Sequence, residues 1–290
     1  MRSSTTALAV GLLAAGLTVG CAQPIPEPQA RPVPSPAVER PPEPSSSPRS
    51  PAPAPGTRPP RWLGTRVLPT TDTGFGEVRR TPPSLRNRRF TLPDSVPALP
   101  GRGFAARVRA PAPAPVIARS TWRPRCPVGA EELAWLRLTF WGFDDRRHTG
   151  ELLVHEDVAR DLVSVFDRLY AARFPLEELA IVTRRDLAAP PTGDGNMTTG
   201  FACRPTTGGT SYSQHAYGLA MDVNSFQNPY LDDGLVLPEL ASAYLRRDHT
   251  RLGMIRAQGP VVRAFASIGW EWGGSWRTLK DYQHFSANGR

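Results

Sequence analysis

"SYSQHAYGLAMDV" (residues 211–223) sets a histidine and an aspartate seven positions apart among small residues and glycine. Such a stretch is either an ordinary loop-to-strand join or half of a metal site. A hydrolytic zinc site needs three protein ligands, an open position for water and a nearby base. His215 and Asp222 can supply two ligands, and Gly218 and Ala220 leave the backbone room to turn so that the two side chains converge. His284, in "YQHFS" (282–286), can supply the third, and Asp281 stands three residues before it. Residues three apart on a strand face opposite sides, so Asp281 is expected in the turn entering that strand. A bare His-x6-Asp is weak evidence, and the added Asp-x-x-His tightens it only moderately. His148, His155 and His249 lack such company and are expected on the solvated surface.

Around this stretch the sequence mixes strands and helices. "LRLTF" (136–140) alternates apolar and polar residues, the period of a half-buried strand. "GELLV" (150–154) is its expected partner, with 144–150 as the turn. Val158, Leu162, Val165, Phe166, Leu169 and Tyr170 recur at helical spacing. Glu156 and Asp157 stand at that helix's start, where the macrodipole favours acids. "LAIVT" (179–183) reads as a strand, "PVVRAFASIGW" (260–270) as a helix ending at Gly269, and 282–286 as a last strand. Without a repeating β-α-β rhythm, the expectation is α+β with a mainly antiparallel sheet and flanking helices.

The N-terminus reads differently. Arg2 and the apolar run Ala7–Val19 have the length of an export signal rather than a membrane span. "LTVGC" is similar to a lipobox, which would make Cys21 a lipidated mature N-terminus, although Thr18 departs from the usual leucine. Cleavage after Ala22 to release a soluble protein is the alternative. Either way residues 1–22 are a signal peptide and the protein is exported to the cell envelope. With Cys21 lipidated, Cys126 and Cys203 remain as an even pair, which an oxidising compartment favours as a disulfide. Fifteen of the 37 residues from Pro24 to Pro60 are proline, a composition that favours extended polyproline II and cannot bury a core.

The net charge of +9 is uneven. Residues 61–118 carry ten Arg and three acids, while the twenty bases and twenty acids from Arg119 onward cancel. The expected organisation is a Pro-rich, then Arg-rich disordered tether over 23–115 and a folded zinc domain over 116–290. A surplus held on a tether argues against nucleic acid as partner, since a nucleic-acid domain carries it on the folded surface. Anionic lipid or wall polymer, or plain solubility, accounts for it instead.

"SQHAYGLAMDVN" resembles the S-x-H-x-x-G-x-A-x-D signature of the zinc D-alanyl-D-alanine carboxypeptidase family, the VanY- and VanX-type peptidases. "GWEWGGSW" (269–276) followed by "DYQHF" (281–285) resembles the second signature, in the branch of phage L-alanyl-D-glutamate endopeptidases. "GFACRP" (200–205) is similar to the segment bearing the family's substrate-binding arginine. The resemblance runs from about Cys126 to Phe285. It implies Zn²⁺ held by His215, Asp222 and His284, with Asp281 as acid/base where many members have glutamate. It also implies Arg204 as the arginine that binds substrate and steadies the oxyanion, and Ser213 as a hydrogen-bond donor near the site. The implied fold is the one shared with lysostaphin-type peptidases and the hedgehog N-terminal domain. The implied substrates are peptidoglycan stem peptides, cut at D-Ala-D-Ala or at L-Ala-D-Glu. A monomer is expected. The competing reading is a catalytically inactive, zinc-containing wall-binding module, against which the presence of both Asp281 and Arg204 argues. The tryptophans of "GWEWGGSW" are expected in the core rather than in the cleft.

Overall fold

The computed structural model describes residue 54 and residues 56–289. The signal peptide, Cys21 and most of the Pro-rich stretch lie outside the described residues. Along the chain, β1 (Ala106–Arg109) and α1 (Ala114–Arg119) precede a long hairpin of β2 (Leu133–Gly142) and β3 (Arg147–His155). Helix α2 (Ala159–Ala171), strand β4 (Pro175–Leu176) and helix α3 (Arg184–Ala188) follow. Short strands then alternate with turns: β5 (Ala220–Asp222), β6 (Tyr230–Asp232) and β7 (Leu235–Leu237). Helix α4 (Pro260–Ala266) leads to β8 (Glu271–Trp272), β9 (Lys280–Asp281) and β10 (His284–Ser286).

The class is α+β, as expected, but the strands form three sheets rather than one. The largest runs β1-β2-β3 with β4 added parallel to β2; the other two, β5-β10-β8 and β7-β6-β9, are wholly antiparallel. The hairpin register pairs Leu136 with Leu152 and Leu138 with Gly150. That puts one apolar face of β2–β3 against Leu162, Val165, Phe166 and Leu169 of α2, all buried in one core. Phe265 of α4 joins this core and stacks on Phe285 of β10, centroids 4.0 Å apart at an interplanar angle of 12°. The strand that carries His284 is thereby anchored to the main core.

"LAIVT" is not a strand. Leu179, Ala180, Ile181 and Val182 are buried, but the run makes only an isolated bridge, Leu179 with Thr198. It crosses β3 at Gly150, where a Cβ would lie 2.4 Å from the Leu179 side chain and carbonyl. Thr183 then caps α3, its hydroxyl accepting the Asp186 N–H. A short apolar run reports burial, not pairing.

The expected tether is corrected from residue 56 onward. Leu68, Leu85 and Phe90 are buried in a second core with Phe226, Val236, Leu240 and Tyr244. Arg88 lies under that core and donates to both carboxylate oxygens of Glu177 (Nη2–Oε1 2.5 Å, Nε–Oε2 2.7 Å) and to the Asp194 carbonyl at 2.6 Å. Its guanidinium also lies over the rings of Phe90 and Phe226. Downstream, His148 is clamped between Asp94 (2.7 Å) and Asp144 (3.0 Å), half-buried rather than solvated. Order therefore does not wait for residue 116. The surplus charge of 61–118 belongs in good part to the folded unit, which removes the ground on which nucleic acid was set aside.

Candidate metal centre and active site

Ser213 caps a 3-10 turn, Gln214–Tyr217, its hydroxyl accepting the His215 N–H at 3.3 Å. The turn closes on Gly218, which sits at φ +69° with its carbonyl bonded to the His155 N–H. A Cβ there would lie 2.4 Å from that nitrogen, so only glycine fits both the left-handed backbone and the approach to β3. The chain then enters β5, where Asp222 stands directly opposite His284 of β10. The sequence pattern is thus resolved into one turn and one cross-strand pair.

His215 Nδ1 lies 2.6 Å from the Gly200 carbonyl. A carbonyl can only accept, so Nδ1 carries the proton and Nε2 presents its lone pair inward, the usual support for a ligating histidine. His215 Nε2, His284 Nδ1 and Asp222 Oδ1 lie 3.2 Å from one another along all three edges. Tetrahedral zinc with bonds of ~2.0–2.1 Å separates its ligand atoms by about 3.3 Å. Three potential ligand atoms, one of them a carboxylate oxygen, converge at the spacing a zinc ion requires. These residues are the one group among the described residues that could hold a metal ion.

Burial would raise the Asp222 carboxyl, but the adjacent His215 and His284 more than offset it and hold Asp222 well below the ordinary carboxylate range. Asp281 goes the other way. Burial, and then the charge of Asp222, push it up to about 7, against the opposing pull of His284 and Arg204. Its Oδ1 is buried without a hydrogen-bond partner. A carboxylate poised near neutrality with an unsatisfied oxygen suits proton transfer.

Asp281 does not lie in a turn. It occupies β9, opposite Tyr230 of β6, and the chain changes sheets between Asp281 and His284. That change, rather than a loop, turns both side chains towards one cleft. Gly273 makes it possible: a Cβ there would lie 2.7 Å from the Asp281 carbonyl oxygen.

The cleft, of about 590 Å³, is lined by Arg204, Ser213, His215, Tyr230, Asp281 and His284 among others. All five expected catalytic and ligand residues therefore meet at one site, with the Arg204 guanidinium bonded, among the described residues, to the Pro205 carbonyl. For Ser213 the observed role is the cap, an acceptor towards the backbone rather than the expected donor. Trp276 lines the cleft, its ring centroid 5.6 Å from that of His284, so the expectation that it lies in the core is overturned. Trp272 is half-buried and donates to the Tyr282 carbonyl. The Gly200 carbonyl was not foreseen because a backbone acceptor leaves no trace in residue identity. Cys126 and Cys203 form the expected disulfide.

Residues 207–287 match the family model of D-alanyl-D-alanine carboxypeptidases. The family likeness first read from the motifs is thereby supported. The matched span holds Ser213, His215, Asp222, Asp281 and His284 but begins after Arg204, and is shorter than the Cys126–Phe285 resemblance. At a coarse level the match supports a peptidase that acts on the cell wall. No curated protein and no solved structure matches the chain.

Proposed function

We propose that the protein is a zinc-dependent peptidase that hydrolyses peptidoglycan stem peptides in the cell envelope, at D-Ala-D-Ala or at L-Ala-D-Glu. The observation that carries this reading is the 3.2 Å triangle of His215 Nε2, Asp222 Oδ1 and His284 Nδ1 beside Asp281, whose Oδ1 is buried without a partner. A zinc ion held there would supply Lewis acidity and make water acidic enough to ionise near neutral pH.

The chain's own residues do the rest. Asp281 accepts a proton from the attacking water and returns it to the leaving amine, a task open to a carboxylate in the cleft whose Oδ1 has no other hydrogen-bond partner. Arg204 donates to the carbonyl oxygen as negative charge develops on it, stabilising the tetrahedral intermediate. Gly200 and Ser213 hold His215 in orientation from behind. The residual hedgehog/DD-peptidase likeness of the fold is part of the same proposal.

The test is zinc analysis of purified protein together with mass spectrometry of products from defined stem peptides. About one zinc per chain and a single cleaved bond are expected. Zinc without cleavage of any stem peptide, alongside binding of wall fragments, would favour the inactive binding module.

A further inference from the structure

The disulfide joins two segments that each carry an arginine beside the cysteine: Arg123-Pro124-Arg125-Cys126 and Cys203-Arg204. The first is a tight turn closed in both directions. The Cys126 N–H donates to the Arg123 carbonyl at 2.9 Å, and the Arg123 N–H to the Cys126 sulfur at 3.2 Å. The second is pinned by the Cys203 N–H donating to Thr121 Oγ1 at 2.8 Å. With the two Cα atoms 5.9 Å apart, Arg123 is held at a set position relative to Arg204.

Both arginines line a second recess of about 600 Å³. It adjoins the catalytic cleft and shares Arg204, Tyr230 and Asp281 with it. Phe75, Leu187 and Pro238 add apolar wall on the far side. Phe75 and Arg123 both lie outside the segment that matches the family model.

Arg123 is half-buried, yet its guanidinium makes no hydrogen bond or ion pair among the described residues. Two other arginines drawn out of water are well bonded: buried Arg88 binds Glu177 and a carbonyl, and half-buried Arg247 reaches four acceptors. Drawing an arginine partly out of water without giving it partners is unfavourable, and Arg123 lines the recess. The recess has one acid, Asp281, whose charge is committed at the catalytic end. A planar fork with free donors is best matched by a carboxylate.

We propose that this recess is a carboxylate subsite, in which Arg123 grips a free carboxylate of the peptide while Arg204 serves the scissile carbonyl next door. The inference rests on the peptidase reading above and extends it: the enzyme selects anionic peptides, and the disulfide is the spacer that sets the distance between the two arginines. The carboxylate is either one within the stem peptide, on its glutamyl residue, or the one at its C-terminus.

The test uses zinc-loaded full-length protein and the pentapeptide L-Ala-D-Glu-L-Lys-D-Ala-D-Ala in three forms: both carboxylates free, glutamyl carboxylate amidated, C-terminus amidated. Calorimetric affinity and kcat against KM are measured for each. One of the two amides is expected to bind about tenfold more weakly than the free acid, the scale of a charged hydrogen bond. Which amide it is identifies the carboxylate. Arg123→Gln should erase that difference through KM with kcat on the amide unchanged, and Arg123→Lys should restore part of it. The Cys126→Ser/Cys203→Ser pair should also flatten the preference while keeping zinc.

Equal affinity for all three peptides, no measurable affinity for any, or an Arg123→Gln variant that still discriminates would overturn the subsite. If wild type discriminates among the peptides but cleaves none, the subsite stands and the peptidase reading fails. If it cleaves all three alike and Arg123→Gln changes nothing, the reverse holds.

Discussion

Two buried charge clusters lie in this chain, in regions equally poor in long regular elements, and they are built in opposite ways. In the first, Arg88 spends its donors on Glu177 and the Asp194 carbonyl, Asn196 donates to the same carboxylate, and Tyr244 accepts the Arg88 N–H. Donors meet acceptors throughout. In the second, three potential ligand atoms converge at 3.2 Å and Asp281 keeps an orphaned oxygen. A saturated cluster is a fastening, whereas an unsaturated one has capacity left for a reactant.

The comparison breaks most sharply at His215. Replacing it with Ala removes one corner of the triangle, so zinc retention and hydrolysis should vanish; metal analysis by mass spectrometry that still finds one zinc per chain would sink the ligand assignment. Asp281→Asn keeps the shape and removes the base. Turnover should fall by about 10²–10⁴-fold with zinc content and peptide affinity kept, and an equally active variant would move the base elsewhere, with Glu271 as the next candidate.

Arg88→Ala should do the opposite and leave the catalytic groups in place while destabilising the fold by about 3–5 kcal/mol, because Glu177 is left buried without its partner. Urea unfolding measures this, and a fragment starting at residue 116 should fail to fold for the same reason. Loss of the disulfide by paired Cys126→Ser and Cys203→Ser should cost about 2–4 kcal/mol in the chain-entropy view, read from the denaturation midpoint.

The smallest effect tests the edge of the saturated cluster. Burial first, then the neighbouring charges of Glu177 and Asp186, push Glu178 up to about 7. Its ionised form is disfavoured in the fold, so this stability is complete below the unfolded value of 4.5 and lost as pH rises through about 7. Glu178→Gln should therefore leave the unfolding free energy unaltered at pH 4 and raise it at pH 8 by roughly 1–3 kcal/mol, read from urea unfolding at the two pH values.

The hairpin and α2 were legible because they are long enough to show a period somewhere: five residues of alternation at 136–140 within a ten-residue strand, and helical spacing over thirteen residues. Strands β5 and β8–β10 have two or three residues each and no period to read. The site was legible all the same, since the chemistry at His215, Asp222, Asp281 and His284 demands those side chains whatever the strands do. Arg88 was opaque for the opposite reason. Its partner lies 89 residues away, and its Pro- and Arg-rich surroundings have the composition of a chain that does not fold. The turn expected at Asp281 was misplaced because sheet membership is a tertiary property: nothing in "DYQHF" says that the chain leaves one sheet and enters another.

That change of sheet makes the interval between Asp281 and His284 a joint between two panels rather than a length along one strand. The panel of β6, β7 and β9 folds back at Asp233 and Gly234, both at positive φ (41° and 85°). Bending that crease would shift β6 and, through the Tyr230–Asp281 pairing, the position of Asp281, so under the peptidase proposal substitutions at Asp233 and Gly234 are expected to change turnover while the ligand triangle stays intact.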